Sequence, residues 1–248
     1  MSFYLKSFIT FLYSSLITGS KKKGLRALKY HSISKEFKKD DLWSLDINSL
    51  SDHLSFIAET KMDVFKTDEL INYLPTQGLV ITFDDGFKDN FELAAPLFFE
   101  LGIPFSVFVI TDFVRQSKKG YVDELTLKEF SMNPLVTIGS HSCSHSRLTN
   151  LTLSEVKKEV SNSKDYLEDL LGKEINIFSY PHGLFNDIIR QEVIKAGYKL
   201  SFTSHYDTNL DNQDKFTLNS NEIWNTDTLS SFQKKINGDW DWLKYRNL

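Results

Sequence analysis

Cysteine is nearly absent: Cys143 is the single copy in 248 residues. No intrachain disulfide can form, so the fold does not depend on an oxidising compartment. Positive charge is not in excess either. Lys and Arg number 29 against 33 Asp and Glu, a net charge of −4, which gives no electrostatic reason to expect nucleic acid. Proline and glycine are sparse, at 5 and 11 copies, and nowhere gather with serine into a linker that would mark a domain boundary. There is no internal repeat. The apolar run near the N-terminus, Phe3 to Ile17, carries Lys6 and falls short of the ~20 residues that a membrane-spanning helix needs.

What is present is ordinary for a globular domain: 41% hydrophobic and 25% charged residues. Phe is used 20 times, and its large side chain makes a sizeable core possible. Lys21, Lys22, Lys23 and Arg26 follow the N-terminal apolar run, whereas a signal peptide carries its positive charge in front. Residues 1–24 are expected to form an amphipathic helix, for which two readings stay open. It lies on a membrane with its lysines near anionic head groups, or it covers one end of the core. The chain is expected to be cytoplasmic, and the first reading makes it peripheral to the inner face of the membrane. Residues 25–248 then form one domain.

Short apolar runs recur along that domain: Leu25–Tyr30, Leu79–Phe83, Phe105–Ile110, Val136–Gly139, Ile175–Tyr180 and Lys199–Thr203. Most lack polar alternation, which suits strands covered on both faces. Helical segments lie between them. Phe91–Leu101 has Pro96 in its first turns and stops at Gly102. Thr152–Leu171 opens with Thr152 and Glu155 at capping-box spacing and closes at Gly172. Phe185–Ala196 ends before Gly197. Alternating strands and helices predict an α/β fold with right-handed crossovers. With this many units, a deformed (β/α) barrel of about seven parallel strands is favoured over an open sheet. In a barrel, chemistry sits on the loops after the strands' C-terminal ends.

Three motifs fall at such ends. In Val80–Gly86 an apolar strand runs into Asp84 and Asp85. Neighbouring strand residues point to opposite sides, so one acid can hold a metal while the other accepts a proton. Gly86 allows the sharp turn that follows. In Ser140–His145, His141 and His145 are spaced i and i+4. On a helix they would share one face and could share one cation, with Cys143 pointing away. One Asp and two His suffice for a zinc-type site with a position left open for water. In Phe178–Gly183, Pro181 and Gly183 shape a turn whose backbone N–H groups could face a ligand.

At these segments the chain resembles the polysaccharide deacetylase superfamily, carbohydrate esterase family 4. Its signature is a strand ending Thr-Phe-Asp-Asp-Gly, a His-Ser/Thr-x-x-His motif and a Pro-Tyr-Gly-type loop. Thr82–Gly86 and His141–His145 match the first two in full, and the loop matches in part. The resemblance covers roughly Leu28 to Thr203 and includes a Lys-Tyr-His-Ser opening at Lys29–Ser32, like that of many bacterial members. It implies that Asp84 is the general base, that Asp85, His141 and His145 hold one divalent ion, and that an N-acetylated amino sugar is the substrate. Zinc leads as the ion, with cobalt and nickel as the other candidates. The acyl group is expected to be acetyl, with another N-acyl group as the alternative, and the sugar is expected to belong to a surface polysaccharide or its lipid-linked precursor.

The chain departs from the pattern in three places. Ser179 stands where many members carry an Arg that orients the base, and His182 replaces the loop Tyr. A backbone N–H at His182 could still hold an oxyanion. The late Leu-x-His motif that provides a catalytic acid is not recognisable, which leaves His205 and His31 as candidates; His53 reads as a surface helix residue. Trp240 and Trp242 read as packing residues before sugar-stacking ones. Two rival functions remain: a carbohydrate-binding barrel that has lost catalysis, and a metal-dependent phosphoesterase, which would often need two ions and more ligands. On the membrane reading, deletion of residues 1–20 is expected to move the chain from the membrane to the soluble fraction of lysed cells. An unchanged membrane-bound share would remove the anchor reading.

Overall fold

The computed structural model describes residues 23–241 and Leu243. Residues 1–22, which carry nearly all of the expected N-terminal helix, and Trp242 lie outside the described residues. The chain opens with β1 (Gly24–Tyr30), β2 (Ser32–Ser34), β3 (Ser44–Asp46) and α1 (Ile47–Glu59). Next come β4 (Gln77–Phe83), α2 (Ala95–Leu101), β5 (Phe105–Val109), α3 (Thr111–Arg115) and α4 (Glu124–Ser131). Then follow β6 (Val136–Ser140), α5 (Leu153–Leu171), β7 (Ile177–Ser179), α6 (Asp187–Lys195) and β8 (Leu200–Phe202). The last elements are β9 (Asn221–Glu222) and α7 (Leu229–Asn237).

Seven strands form one sheet in the order β8-β7-β6-β5-β4-β1-β9, and every pairing is parallel. The sheet is curled into a half-barrel. Its two edges are joined by irregular chain: Leu218 N–H donates to Ser201 O at 3.0 Å and its carbonyl accepts from Thr203 N–H at 2.8 Å. Asn209 exchanges backbone bonds of 2.7 and 2.9 Å with Leu25. The predicted apolar runs are β1 and β4 to β8. All residues of β1, β5 and β6 are buried, as expected for strands covered on both faces. The seventh strand, β9, was not expected, because Asn221–Glu222 is only two residues long and polar.

Caps follow the sequence closely. Thr152 N–H donates to Glu155 Oε2 at 2.8 Å, Thr152 Oγ1 accepts from the Glu155 N–H, and α5 ends at Gly172 with φ 66°. The segment predicted over Phe91–Leu101 begins as a wider π turn at Asn90–Ala94 before α2. Pro96 has no N–H to return to the preceding turn, so the ladder is interrupted there. Aromatic rings fill the space between α2 and the sheet: Phe83 meets Phe98 and Phe105 edge-on at 5.7 and 5.9 Å.

His53 is not a surface residue. Leu50, His53, Leu54 and Ile57 form the buried stripe of α1, a 3-and-4 spacing that faces the core whatever its members. Its ring stacks on Phe232 at 3.9 Å, and Nδ1 lies 3.3 Å from the Tyr30 hydroxyl. Burial pulls its pKa down from 6.5 to about 4. The folded chain therefore holds His53 neutral while the unfolded chain takes up a proton below pH 6.5. Stability is lost as pH falls from 6.5 towards 4, by about 3 kcal/mol in all. Urea unfolding at pH 7 and pH 5 is expected to show this loss, and to show less of it in a His53→Gln variant, whatever that variant's stability at pH 7. An identical loss in both proteins would place the titration elsewhere.

Candidate active site

The C-terminal ends of β1, β4, β6, β7 and β9 open onto one cavity of about 520 Å³. Four of the six histidines line it, namely His31, His141, His145 and His182, together with Asp84, Asp85, Lys29 and Glu222. The backbone after β4 turns abruptly: Asp85 and Gly86 have φ of 73° and 72°. A Cβ on Gly86 would lie 2.8 Å from Val109 Cγ1, so this turn needs glycine both for its conformation and for its space. The turn separates the two acids: Asp84 stays buried beneath the cavity, while Asp85 is partly exposed.

The segment from His141 to His145 is not helical. The two rings converge because Ser142 and His145 adopt left-handed conformations, with φ of 64° and 62°. Glu159 on α5 clasps this loop. It accepts from Cys143 N–H at 3.0 Å, Ser144 N–H at 2.9 Å and the Ser144 hydroxyl at 2.7 Å. The Cys143 thiol faces away, 3.7 Å from Lys158 O, and burial pushes its pKa up to about 11.

Asp85 Oδ1 is 3.5 Å from His141 Nε2 and 3.4 Å from His145 Nε2, and the three ligand atoms lie within 4.8 Å of one another. Two ligands about 2.0–2.1 Å from one tetrahedral ion would sit roughly 3.3–3.4 Å apart. The two Asp85–histidine spacings fit an ion. Two further observations agree. Asp85 Oδ1 is buried without a hydrogen-bond partner. His141 Nδ1 lies 2.8 Å from Ser179 O; a carbonyl can only accept, so Nδ1 carries the proton and Nε2 presents its lone pair. Burial, then the neighbouring His141, lowers the His145 pKa to about 4, so its imidazole is neutral and ready to ligate near pH 7.

Asp84 lies behind this cluster. Its Oδ2 accepts from Ser179 Oγ at 3.1 Å and is 3.5 Å from Lys29 Nζ and 3.8 Å from His141 Nε2. Its Oδ1 is buried with no partner. Burial favours the protonated acid, but Lys29, His141, His31 and the Ser179 hydroxyl together hold its pKa below the usual carboxylate value. Lys29 shows the converse balance. Burial works against its charge, yet Glu222 and Asp84 raise its pKa.

His182 lines the cavity in a left-handed conformation, φ 59°, with its ring 4.4 Å from that of His145. Burial and then Arg147 lower its pKa. His205 is not among the cavity-lining residues, and its ring packs 5.8 Å from Phe185. His31 is among them, with Nδ1 3.7 Å from Glu222 Oε2 and its ring 4.6 Å from Trp43. Trp240 is buried against Trp224, a packing residue as read from the sequence. Sequence reasoning missed Lys29 and Glu222 as site residues. A charged residue in a strand read as covered on both faces was a signal for Lys29, one it shares with Arg26; a two-residue strand offered none for Glu222.

A parallel half-barrel with an Asp-His-His cluster at its strand ends defines an α/β protein with a candidate metal centre. A family model for polysaccharide deacetylase matches residues 72–201, more than half of the sequence, and the chain belongs to that family. The Bacillus subtilis protein YxkH is 29% identical over 126 residues, 51% of this chain and 44% of that protein. The poly-β-1,6-N-acetyl-D-glucosamine N-deacetylase of Staphylococcus aureus is 24% identical over 190 residues, 70% of this chain and 64% of that one. The chain thus spans less than two thirds of either relative. The Streptococcus pyogenes deacetylase PplD, solved with acetate, aligns with a TM-score of 0.79 at 20% identity over 86% of this chain and 98% of its own. IcaB from Ammonifex degensii aligns at 0.74 and 19% over 88% and 97%. These likenesses show a shared fold.

The clasp on the histidine loop is testable. A Glu159→Ala variant is expected to lose about 1–3 kcal/mol of stability and to bind zinc roughly 10- to 100-fold more weakly, read by denaturant unfolding and metal titration. Unaltered zinc affinity would show that the loop holds its shape without Glu159.

Proposed function

We propose that this chain is a metal-dependent hydrolase that removes the N-acetyl group from an amino sugar of a surface polysaccharide or its lipid-linked precursor. The observation that carries the reading is the convergence of Asp85, His141 and His145, with the unligated carboxylate of Asp84 beside them. Such a donor set suits zinc, with cobalt or nickel as alternatives. When bound, the ion supplies Lewis acidity: it acidifies a water and polarises the amide carbonyl.

The chain's own groups do the rest. Asp84 is held ionised and has a free Oδ1, so it takes the proton of the attacking water. The backbone N–H of His182, at the turn beside His145, is the candidate donor to the developing oxyanion; one good donor is worth roughly 2.7–4 kcal/mol. The departing nitrogen must be protonated before it can leave. His31 is the cavity-lining candidate, with Glu222 at 3.7 Å beside its ring. Since His205 stands off the cavity, the acid role goes to His31 on this reading. Trp43, which lines the cavity and is 47% exposed, offers a wall that suits the face of a sugar ring. Among the described residues one three-ligand cluster is found, which supports a single-ion deacetylase over a two-ion phosphoesterase. The lysines at positions 21–23 would bring the chain to the inner face of the membrane, within reach of a lipid-linked precursor.

Zinc-loaded protein is expected to release acetate from N-acetylglucosamine oligomers. The Asp84→Asn variant should keep about one zinc per chain while kcat falls by about 10²- to 10⁴-fold, whereas His141→Ala should lose both metal and turnover. Wild-type turnover in Asp84→Asn would remove the base assignment, and absence of acetate from every acetylated sugar tested would remove the deacetylase reading.

A further inference from the structure

Lys29 is a buried ammonium in a strand whose seven residues are all buried. Its three N–H bonds face three acceptors: Ser204 Oγ at 2.6 Å, Glu222 Oε1 at 2.8 Å and Asp84 Oδ2 at 3.5 Å. Among the described residues that line the cavity it is the one Lys or Arg. Ser179, at the place where many family members carry an arginine, gives Asp84 a neutral hydroxyl only. The fixed positive charge beside Asp84 therefore comes from β1, on the other side of β4. The same ammonium grips Glu222, whose second oxygen has no hydrogen-bond partner and faces His31 Nδ1 at 3.7 Å. One cation thus ties together the carboxylate next to the Asp85–His141–His145 cluster and the carboxylate next to His31. Remove it, and two buried acids lose the charge that makes their burial tolerable.

We propose that Lys29 is a positioning residue for both halves of the reaction: it holds Asp84 with Oδ1 unbonded and, through Glu222, fixes the imidazole of His31. This rests on the deacetylase reading above and deepens it. A Lys29→Met variant is expected to lose about 100-fold or more in kcat, with KM within about threefold and close to one zinc per chain retained. In Lys29→Ala, millimolar methylammonium is expected to restore at least about tenfold, since the cavity admits a small cation to the vacated place, while sodium at equal ionic strength does nothing. A wild-type kcat in Lys29→Met, a parallel loss of zinc and kcat, or a loss that methylammonium does not relieve would each overturn the proposal.

A second measurement stands apart from catalysis. In thermal unfolding Lys29→Met is expected to lower Tm by about 5 °C or more, and adding Glu222→Gln should recover part of that loss. Additive losses would overturn the proposal even if the unmutated chain released no acetate, an outcome that by itself counts against the deacetylase reading alone.

Discussion

Everything at this site depends on three ligand atoms meeting within 4.8 Å, and that meeting depends on the register of a parallel sheet. β4 and β6 do not touch; β5 lies between them. Because the pairings run parallel, with Thr82 opposite Ser106 and Ser106 opposite Thr137, all three strands finish at the same edge. A turn at the end of β4 and a loop at the end of β6 can then lean over β5 towards each other. A slip of one residue in either pairing would turn the strand's side chains to the opposite face and separate the acid from the imidazoles.

Convergence has a conformational cost. Among the described residues, six non-glycine residues adopt positive φ, and four of them, Asp85, Ser142, His145 and His182, line or border the cavity. A left-handed residue other than glycine costs roughly 1–2 kcal/mol, so the loops need support from outside themselves. The support is visible in Glu159 on α5, which satisfies three donors of the histidine loop, and in the Ser140 and Ser142 hydroxyls, which accept from the N–H groups of Ser142 and His145. Strain concentrated at one edge, and held by a long capped helix behind it, is the pattern expected where side chains must be aimed at a ligand.

Charge burial is the other constraint. Asp84, Lys29 and Glu222 are almost wholly removed from solvent, a costly arrangement unless each charge has a partner of opposite sign. The partners come from different elements: β1 gives the cation, and β4 and β9 give the anions. This explains why a strand as short as β9 belongs to the site, since it brings Glu222 to Lys29. A neutral Ser179 beside Asp84 is then consistent with a functional acid, because the compensating charge arrives from the opposite neighbour in the sheet.

The sequence by itself determined the alternation of strand and helix, the caps at Thr152 and Gly172, and the six residues in the two motifs Asp84–Gly86 and His141, Ser142, His145. Those features are written in short-range spacing, and spacing is what a chain displays without folding. Three matters were decided by tertiary structure alone. His53 stacks on Phe232 and does not face solvent, since the spacing of α1 offers it to the buried stripe but only packing supplies the partner. His31 reaches the cavity and His205 does not, since both follow strands and only the curl of the sheet separates them. Lys29 meets Glu222 across most of the chain's length, since pairing between distant strands leaves no periodic mark in either one. Local pattern sets which groups are available; the register and curvature of the sheet set which of them meet.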